Sequence, residues 1–182
     1  YDEKAPWHEY SLSIKEVTIS DSVTSIGDYS FAYCESLVSV VIPDGVTKIG
    51  CDAFKHCINL TNITLPDGLT SIGDYAFSGC YSLKGIIVDA DNPSYSNDEY
   101  GVLFNKDKTV LIQYPKGNSR NYYSILDSVT SIGIDAFAGC DSLASIDIPD
   151  SVTSIGDDAF AYCESLTSID IPDSVTSIGS NA

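Results

Sequence analysis

Leu143-Ala144-Ser145-Ile146-Asp147-Ile148-Pro149-Asp150-Ser151-Val152-Thr153-Ser154-Ile155-Gly156-Asp157-Asp158-Ala159-Phe160-Ala161-Tyr162-Cys163 recurs along this chain with few changes. The glycine of its Ile-Gly step returns at Gly27, Gly50, Gly73, Gly133, Gly156 and Gly179, and four of those five intervals are 23 residues. Phe31, Phe54, Phe77, Phe137 and Phe160 follow at a fixed offset, then Cys34, Cys57, Cys80, Cys140 and Cys163, then Leu37, Leu60, Leu83, Leu143 and Leu166. A short fixed period makes each copy one coil of a solenoid, in contact only with its neighbours.

The physics of one copy assigns its parts. Ser145-Ile146-Asp147-Ile148 alternates, so it predicts a short strand with Ile146 and Ile148 facing the core. Pro149-Asp150-Ser151 turns the chain, because Pro cannot continue a ladder and Asp or Ser can bond nearby amides. Val152 to Ile155 predicts a second extended piece with Val152 and Ile155 inward. It ends at Gly156, where the expectation is a backbone conformation that penalises a Cβ. Asp157 to Cys163 predicts a short helical or 3-10 turn led by an N-terminal Asp, with Ala159, Phe160 and Cys163 inward. A lone copy buries too little to offset the ordering of its backbone, so stability must come from stacking.

Composition narrows the function. Among 182 residues there are 26 Asp plus Glu against 9 Lys plus Arg, a formal charge of −17, while apolar residues make up 43 %. A phosphate backbone needs clustered Lys and Arg, so nucleic acid is excluded as a partner class, and anionic membrane surfaces are disfavoured. No apolar run is long enough to insert into a bilayer. Five of the six cysteines share one register, the behaviour of a small buried hydrophobe, so the expectation is reduced thiols rather than disulfides. Cys51 stands where other copies have Asp28, Asp74 and Asp157, and is expected to be the accessible thiol.

The pattern L-x-x-I-x-I-P-D-[SG]-V-T-S-I-G-D-x-A-F-x-x-C, as in Leu166, Ile169, Ile171, Pro172, Asp173, Val175, Ile178 and Gly179, closely resembles the leucine-rich repeats of BspA-like bacterial surface proteins. The resemblance covers about residues 12–88 and 125–182. It departs from common leucine-rich repeats in having Gly45, Gly68, Ser151 and Ser174 where an Asn usually follows the strand. It implies a leucine-rich repeat solenoid, a right-handed β/α-type coil with short parallel strands and little helix. It also implies a cell-surface or secreted protein whose family is often implicated in adhesion to host matrix proteins or cells.

The domain reading is one array over 1–182: an N-terminal cap at 1–11, regular repeats at 12–88, an irregular repeat at 89–126 and regular repeats at 127–182. In the irregular part, Gly101 to Phe104 and Thr109 to Tyr114 flank Asn105-Lys106-Asp107-Lys108, the pattern of a β-hairpin. Pro6-Trp7-His8-Glu9-Tyr10 is expected to plug the open end of the core, as a capping repeat does. Ile178-Gly179-Ser180-Asn181-Ala182 stops mid-repeat, so the chain reads as a piece of a longer array, with end-to-end self-association through its open edge as one expectation.

Function is expected on exposed faces. Outward strand positions, among them Glu16, Thr18, Ser39, Val41, Asn62, Thr64, Ser145, Asp147, Ser168 and Asp170, are small and polar for the most part. Tyr95, Tyr100, Tyr114, Tyr122 and Tyr123 gather in the irregular repeat beside Lys106, Lys108, Lys116 and Arg120. They either fill an irregular coil or form a recognition patch. Expected partners are a protein or glycan ligand, host extracellular-matrix proteins among them. Chemistry finds little footing. His56 beside Cys57 invites a nucleophile pair, but Cys57 belongs to the buried column. Cys51, His56 and Cys57 lack a fourth zinc ligand. Neither catalytic nor cofactor-binding residues are assigned. Asp44, Asp67, Asp150 and Asp173 form a row that could gather Ca²⁺, which turn and cap duties explain equally well. Asn59 and Asn62 match glycosylation acceptors. The two functional readings are an adhesion module and a rigid spacer presenting another domain.

Overall fold

The computed structural model describes residues 7–182, so the part of the predicted cap before Trp7 lies outside it. A 3-10 turn at His8–Tyr10 precedes fifteen short strands. These are β1 (Glu16–Thr18), β2 (Ser25–Ile26), β3 (Ser39–Val41), β4 (Lys48–Ile49), β5 (Asn62–Leu65), β6 (Ser71–Ile72) and β7 (Gly85–Val88). After them come β8 (Tyr95–Asn97), β9 (Leu103–Asn105), β10 (Val110–Gln113), β11 (Tyr122–Ser124) and β12 (Ser131–Ile132). The last three are β13 (Ser145–Asp147), β14 (Ser154–Ile155) and β15 (Ser177–Ile178).

Regular coils contribute one strand to each of two sides, except the last, which gives only β15, and the paired strands of successive regular coils run parallel. On the first side β1 pairs with β3, β5 with β7 and β11 with β13. Alternation puts Val40, Ile63, Leu65 and Ile146 inside and their neighbours outside, as the period-two pattern requires. On the second side β2-β4-β6 form one sheet, and β10, β12, β14 and β15 continue another. The repeat threonine is explained there: the Thr153 amide and Oγ1 both donate to the Thr130 carbonyl, at 2.8 and 3.1 Å, and Thr130 repeats this on Thr109.

The predicted helical turn is not a helix. Asp158 (φ 54°) and Tyr162 (φ 59°) take left-handed backbone, as do Tyr29 and Tyr33, Asp52 and His56, and Tyr75 and Gly79 in their copies. Two such residues per copy cannot sit in a right-handed helix. Alternate amides point instead at the next coil: Tyr29 N–H donates to Cys51 O at 3.0 Å, Phe31 to Ala53 at 2.8 Å and Tyr33 to Lys55 at 2.6 Å. The leading Asp is likewise not a helix cap, for Asp28 Oδ1 accepts the Cys51 amide of the next coil at 2.9 Å.

The marker glycines also serve stacking rather than local strain. A Cβ on Gly156 would stand 2.8 Å from Gly133 C and Ile134 N, with no positive φ involved. Close approach of neighbouring coils forbids the side chain. Phenylalanines then stack in a column, Phe31–Phe54 at 5.4 Å, Phe54–Phe77 at 5.9 Å and Phe137–Phe160 at 5.2 Å between ring centroids. Trp7 continues it, 5.5 Å from Phe31, with Nε1 donating to Ser30 O. The thiols bridge coils too: Cys57 Sγ donates to Phe31 O and Cys80 Sγ to Phe54 O. All six cysteines are free.

The hairpin is β9–β10, closed by Asn105, whose Oδ1 accepts the Thr109 and Val110 amides. It gains a third antiparallel strand, β8. Strand β9 splits the core: Leu103 joins the cluster running from Ile26 to Ile86, and Phe104 the cluster from Val102 to Ala159. Ser168 and Asp170, expected on a strand, lie in irregular backbone.

Candidate functional site

The strand face carries what the pattern implied. Ser39, Val41, Asn62, Thr64, Ser145 and Asp147 are exposed on β3, β5 and β13, and Ser168 and Asp170 are exposed beyond them. Val41 and Ile87 are the large apolar side chains among them. Tyr122 belongs to this face as well, paired with Ser145 and 51 % exposed.

The other tyrosines of the irregular repeat do not form one outward patch. Tyr114 is fully buried and takes the place of the phenylalanine in the column, 5.3 Å from Phe137, so it is corrected from a surface residue to a core residue. Its amide donates to Ala136 O as a repeat phenylalanine's would, and the sequence signal was its 23-residue offset from Phe137. Tyr123 is buried with its hydroxyl donating to Asp98 Oδ2 at 2.8 Å. Tyr95 and Tyr100 are half-buried, and Arg120 lies 3.7 Å over the Tyr100 ring. Lys116 leaves the basic surface set entirely: it is buried, with Nζ 2.9 Å from Asp135 Oδ2. Burial raises the Asp135 carboxyl, with Lys116 and a Ser78 hydroxyl bond opposing.

A surface that the repeat pattern hid lies on the turn side. The residue before each cysteine of the column is left-handed, and Tyr33, His56 and Tyr162 fill it where other copies have Gly79 and Gly139. Tyr33 and His56 stack at 5.1 Å, and His56 meets Tyr81 at 6.4 Å. Tyr29, Tyr33, Tyr81 and Tyr162 are exposed. A non-glycine residue in left-handed backbone costs about 1–2 kcal/mol. Gly139 makes the same inter-coil amide bond, to Ala161 O at 2.8 Å, that Tyr33 and His56 make in their copies, so the rings are not needed for that bond. Tyr29 also meets Asp52, which raises its hydroxyl, and Lys55 pairs with Asp52 at 2.7 Å.

The remaining chemical readings find no assembled site. Cys57 points at Phe31 O, and burial raises its thiol well above the ordinary range, while His56 stacks outside on Tyr33. Burial pushes Cys80 up to about 12. Cys51 is half-buried, but so is Cys163 at the end of the cysteine column. Asp44, Asp67, Asp150 and Asp173 are exposed, and among the described residues no three His, Cys, Asp or Glu gather as metal ligands.

Comparison with known proteins agrees with this architecture. The BspA type leucine rich repeat region matches residues 7–101 and 114–182, in six copies. The chain belongs to the BspA-type leucine-rich repeat family. Among solved structures, the pneumococcal vaccine antigen PcpA superposes with a TM-score of 0.79 at 25 % identity, over 91 % of this chain and 47 % of that one. A leucine-rich cell surface protein from Faecalibacterium prausnitzii gives 0.75 at 34 %, over 94 % and 51 %. The leucine-rich repeat protein of T. pallidum gives 0.57 at 31 %, over 90 % and 72 %. The chain thus spans about half the length of the first two. No curated protein matches it. No helix among the described residues is long and apolar enough to cross a membrane.

Proposed function

We propose that this chain is a non-catalytic binding module of a bacterial cell-surface or secreted protein, engaging a protein or glycan ligand in adhesion. The observation that carries the reading is the turn-side aromatic row, Tyr29, Tyr33, His56 and Tyr81, partly held in left-handed backbone that glycine fills elsewhere. Tyrosine supplies large, rigid, amphipathic contact area at low entropic cost. The strand face, small and polar apart from Val41, Ile87 and Tyr122, lacks comparable anchors and serves as a secondary surface. Cell-surface placement is supported by the similar Faecalibacterium prausnitzii protein, which is described as one.

The test is surface plasmon resonance on immobilised extracellular-matrix proteins and glycans, with the chain and a Tyr33→Ser/Tyr81→Ser variant. Saturable binding that the variant weakens at least tenfold supports the module. Binding that survives the double change moves the site elsewhere. Absence of binding across the panel favours the second reading, a rigid spacer, to which the bland strand face also points.

A further inference from the structure

At the irregular repeat the stacking rule fails on one side, and the failure leaves a slot. Between regular coils, four bonds join the segment around the marker glycine. Gly50 N–H donates to Ile26 O at 2.9 Å, and Cys51 N–H to Asp28 Oδ1 at 2.9 Å. Tyr29 N–H donates to Cys51 O at 3.0 Å, and Phe31 N–H to Ala53 O at 2.8 Å. The equivalent groups one coil before the hairpin are Ile72 O, the Asp74 carboxylate and the amides of Tyr75 and Phe77. None of the four has a hydrogen-bond partner among the described residues. Strand β6 is the last of its sheet, because the next strand on that side, β10, pairs with β9 and β12 instead.

These groups border a cleft of about 310 Å³, walled by Ile72, Phe77, Tyr95, Val110, Ile112 and Ile134. The Tyr95 hydroxyl, 3.5 Å from Thr70 O and also against the Ile72 backbone, occupies the start of the missing strand. Bridges fix the width: Ser78 Oγ donates to Asp135 Oδ1 and the Tyr75 hydroxyl to Asp158 Oδ2, each at 3.1 Å. Ile134 adds an independent sign. It stands where other copies carry Asp28, Cys51, Asp74, Asp157 and Ser180, so this copy alone places a large aliphatic side chain there, at the wall of this cleft.

We propose that the cleft between β6 and β10 binds an extended peptide segment of about four residues by strand addition, in the place of the coil that the irregular repeat omits. Its backbone supplies two amide donors, to Ile72 O and Asp74, and two carbonyls, to Tyr75 and Phe77. Its side chains are small or apolar toward Ile112 and Ile134. A basic residue flanks them, because Asp74 at the rim and the chain's charge of −17 select a cationic partner.

The probe is an acetylated, amidated hexapeptide copying residues 48–53, with serine in place of Cys51 and glycine in place of Asp52. Its control is the same peptide N-methylated at the residues equivalent to Gly50 and Cys51, which removes the two donors. In ¹⁵N–¹H spectra of the whole chain, the probe is expected to shift the Tyr75 and Phe77 amides saturably and to slow their hydrogen exchange. The control is expected to bind roughly tenfold or more weakly. Ile134→Asp restores the residue that other copies tolerate, so it keeps the fold, and it is expected to weaken the probe severalfold. Equal shifts from both peptides, shifts scattered over acidic turns, or no saturable shift up to millimolar probe overturn the assignment. So does concentration-dependent dimerisation that protects these amides without peptide, which would make a second copy the occupant.

Discussion

Replacing Lys116 by methionine removes one half of a buried ion pair and leaves the other half in place. The Lys116 and Asp135 side chains are 3 % and 8 % exposed, with 2.9 Å between Nζ and Oδ2. Breaking such a pair from one side costs about 3–5 kcal/mol, because an uncompensated charge stays buried. The Ser78 hydroxyl still donates to Asp135 Oδ1 at 3.1 Å, which places the loss near the lower end, about 3 kcal/mol. In a chain of this size that lowers Tm by roughly 6–12 °C.

The loss should depend on pH with a definite sign. Burial already holds the Asp135 carboxyl above its ordinary range against Lys116 and Ser78, and losing Lys116 raises it further. A raised carboxyl contributes fully below the unfolded value, about 3.9, and loses its contribution as pH rises through the folded value. The penalty of Lys116→Met is therefore smallest near about pH 4 and complete by neutral pH. Urea titrations from pH 4 to 8 at constant ionic strength measure it, and Lys116→Met/Asp135→Leu should recover most of the loss. A pH-independent loss, or one under about 1 kcal/mol, would refute the reasoning.

Three further outcomes follow from the packing. The Tyr114 hydroxyl is buried without a hydrogen-bond partner in a column of phenylalanines, so Tyr114→Phe should leave stability unchanged or raise it by up to about 1 kcal/mol in thermal melts. Gly156→Val drives a Cβ to within 2.8 Å of Gly133 C and should cost about 1–3 kcal/mol or more by chemical denaturation. Iodoacetamide on the native chain should label Cys51 and Cys163 first, with Cys34, Cys57, Cys80 and Cys140 reacting only on unfolding, as read by mass spectrometry.

The marker glycines, the Phe and Cys columns and the in-out alternation of Ile146 and Ile148 were all legible before any coordinates. A repeat shows its core through identity at fixed offsets, and stacking needs the same residue in every coil. The hairpin at Asn105 was legible for a local reason, a polar gap between two strand patterns. Backbone handedness was not: Asp158 and Tyr162 sit in a segment whose Asp-x-Ala-Phe composition suits a helix, and inter-coil amide bonds override that preference. Nor was the fate of the irregular tyrosines and lysine, apart from the 23-residue offset that sets Tyr114 opposite Phe137. Tyr114 and Tyr122 are the same residue type eight positions apart, yet one fills the column and the other faces solvent. The choice depends on which residues of an off-period segment land opposite Phe137 and Asp135. The sequence by itself thus determined the stacked coil, because stacking repeats one local rule. Only the tertiary structure decided where the rule stops, since an unpaired edge such as Ile72 to Phe77 arises from the absence of a neighbour, and an absent contact leaves no mark in the residues that lack it.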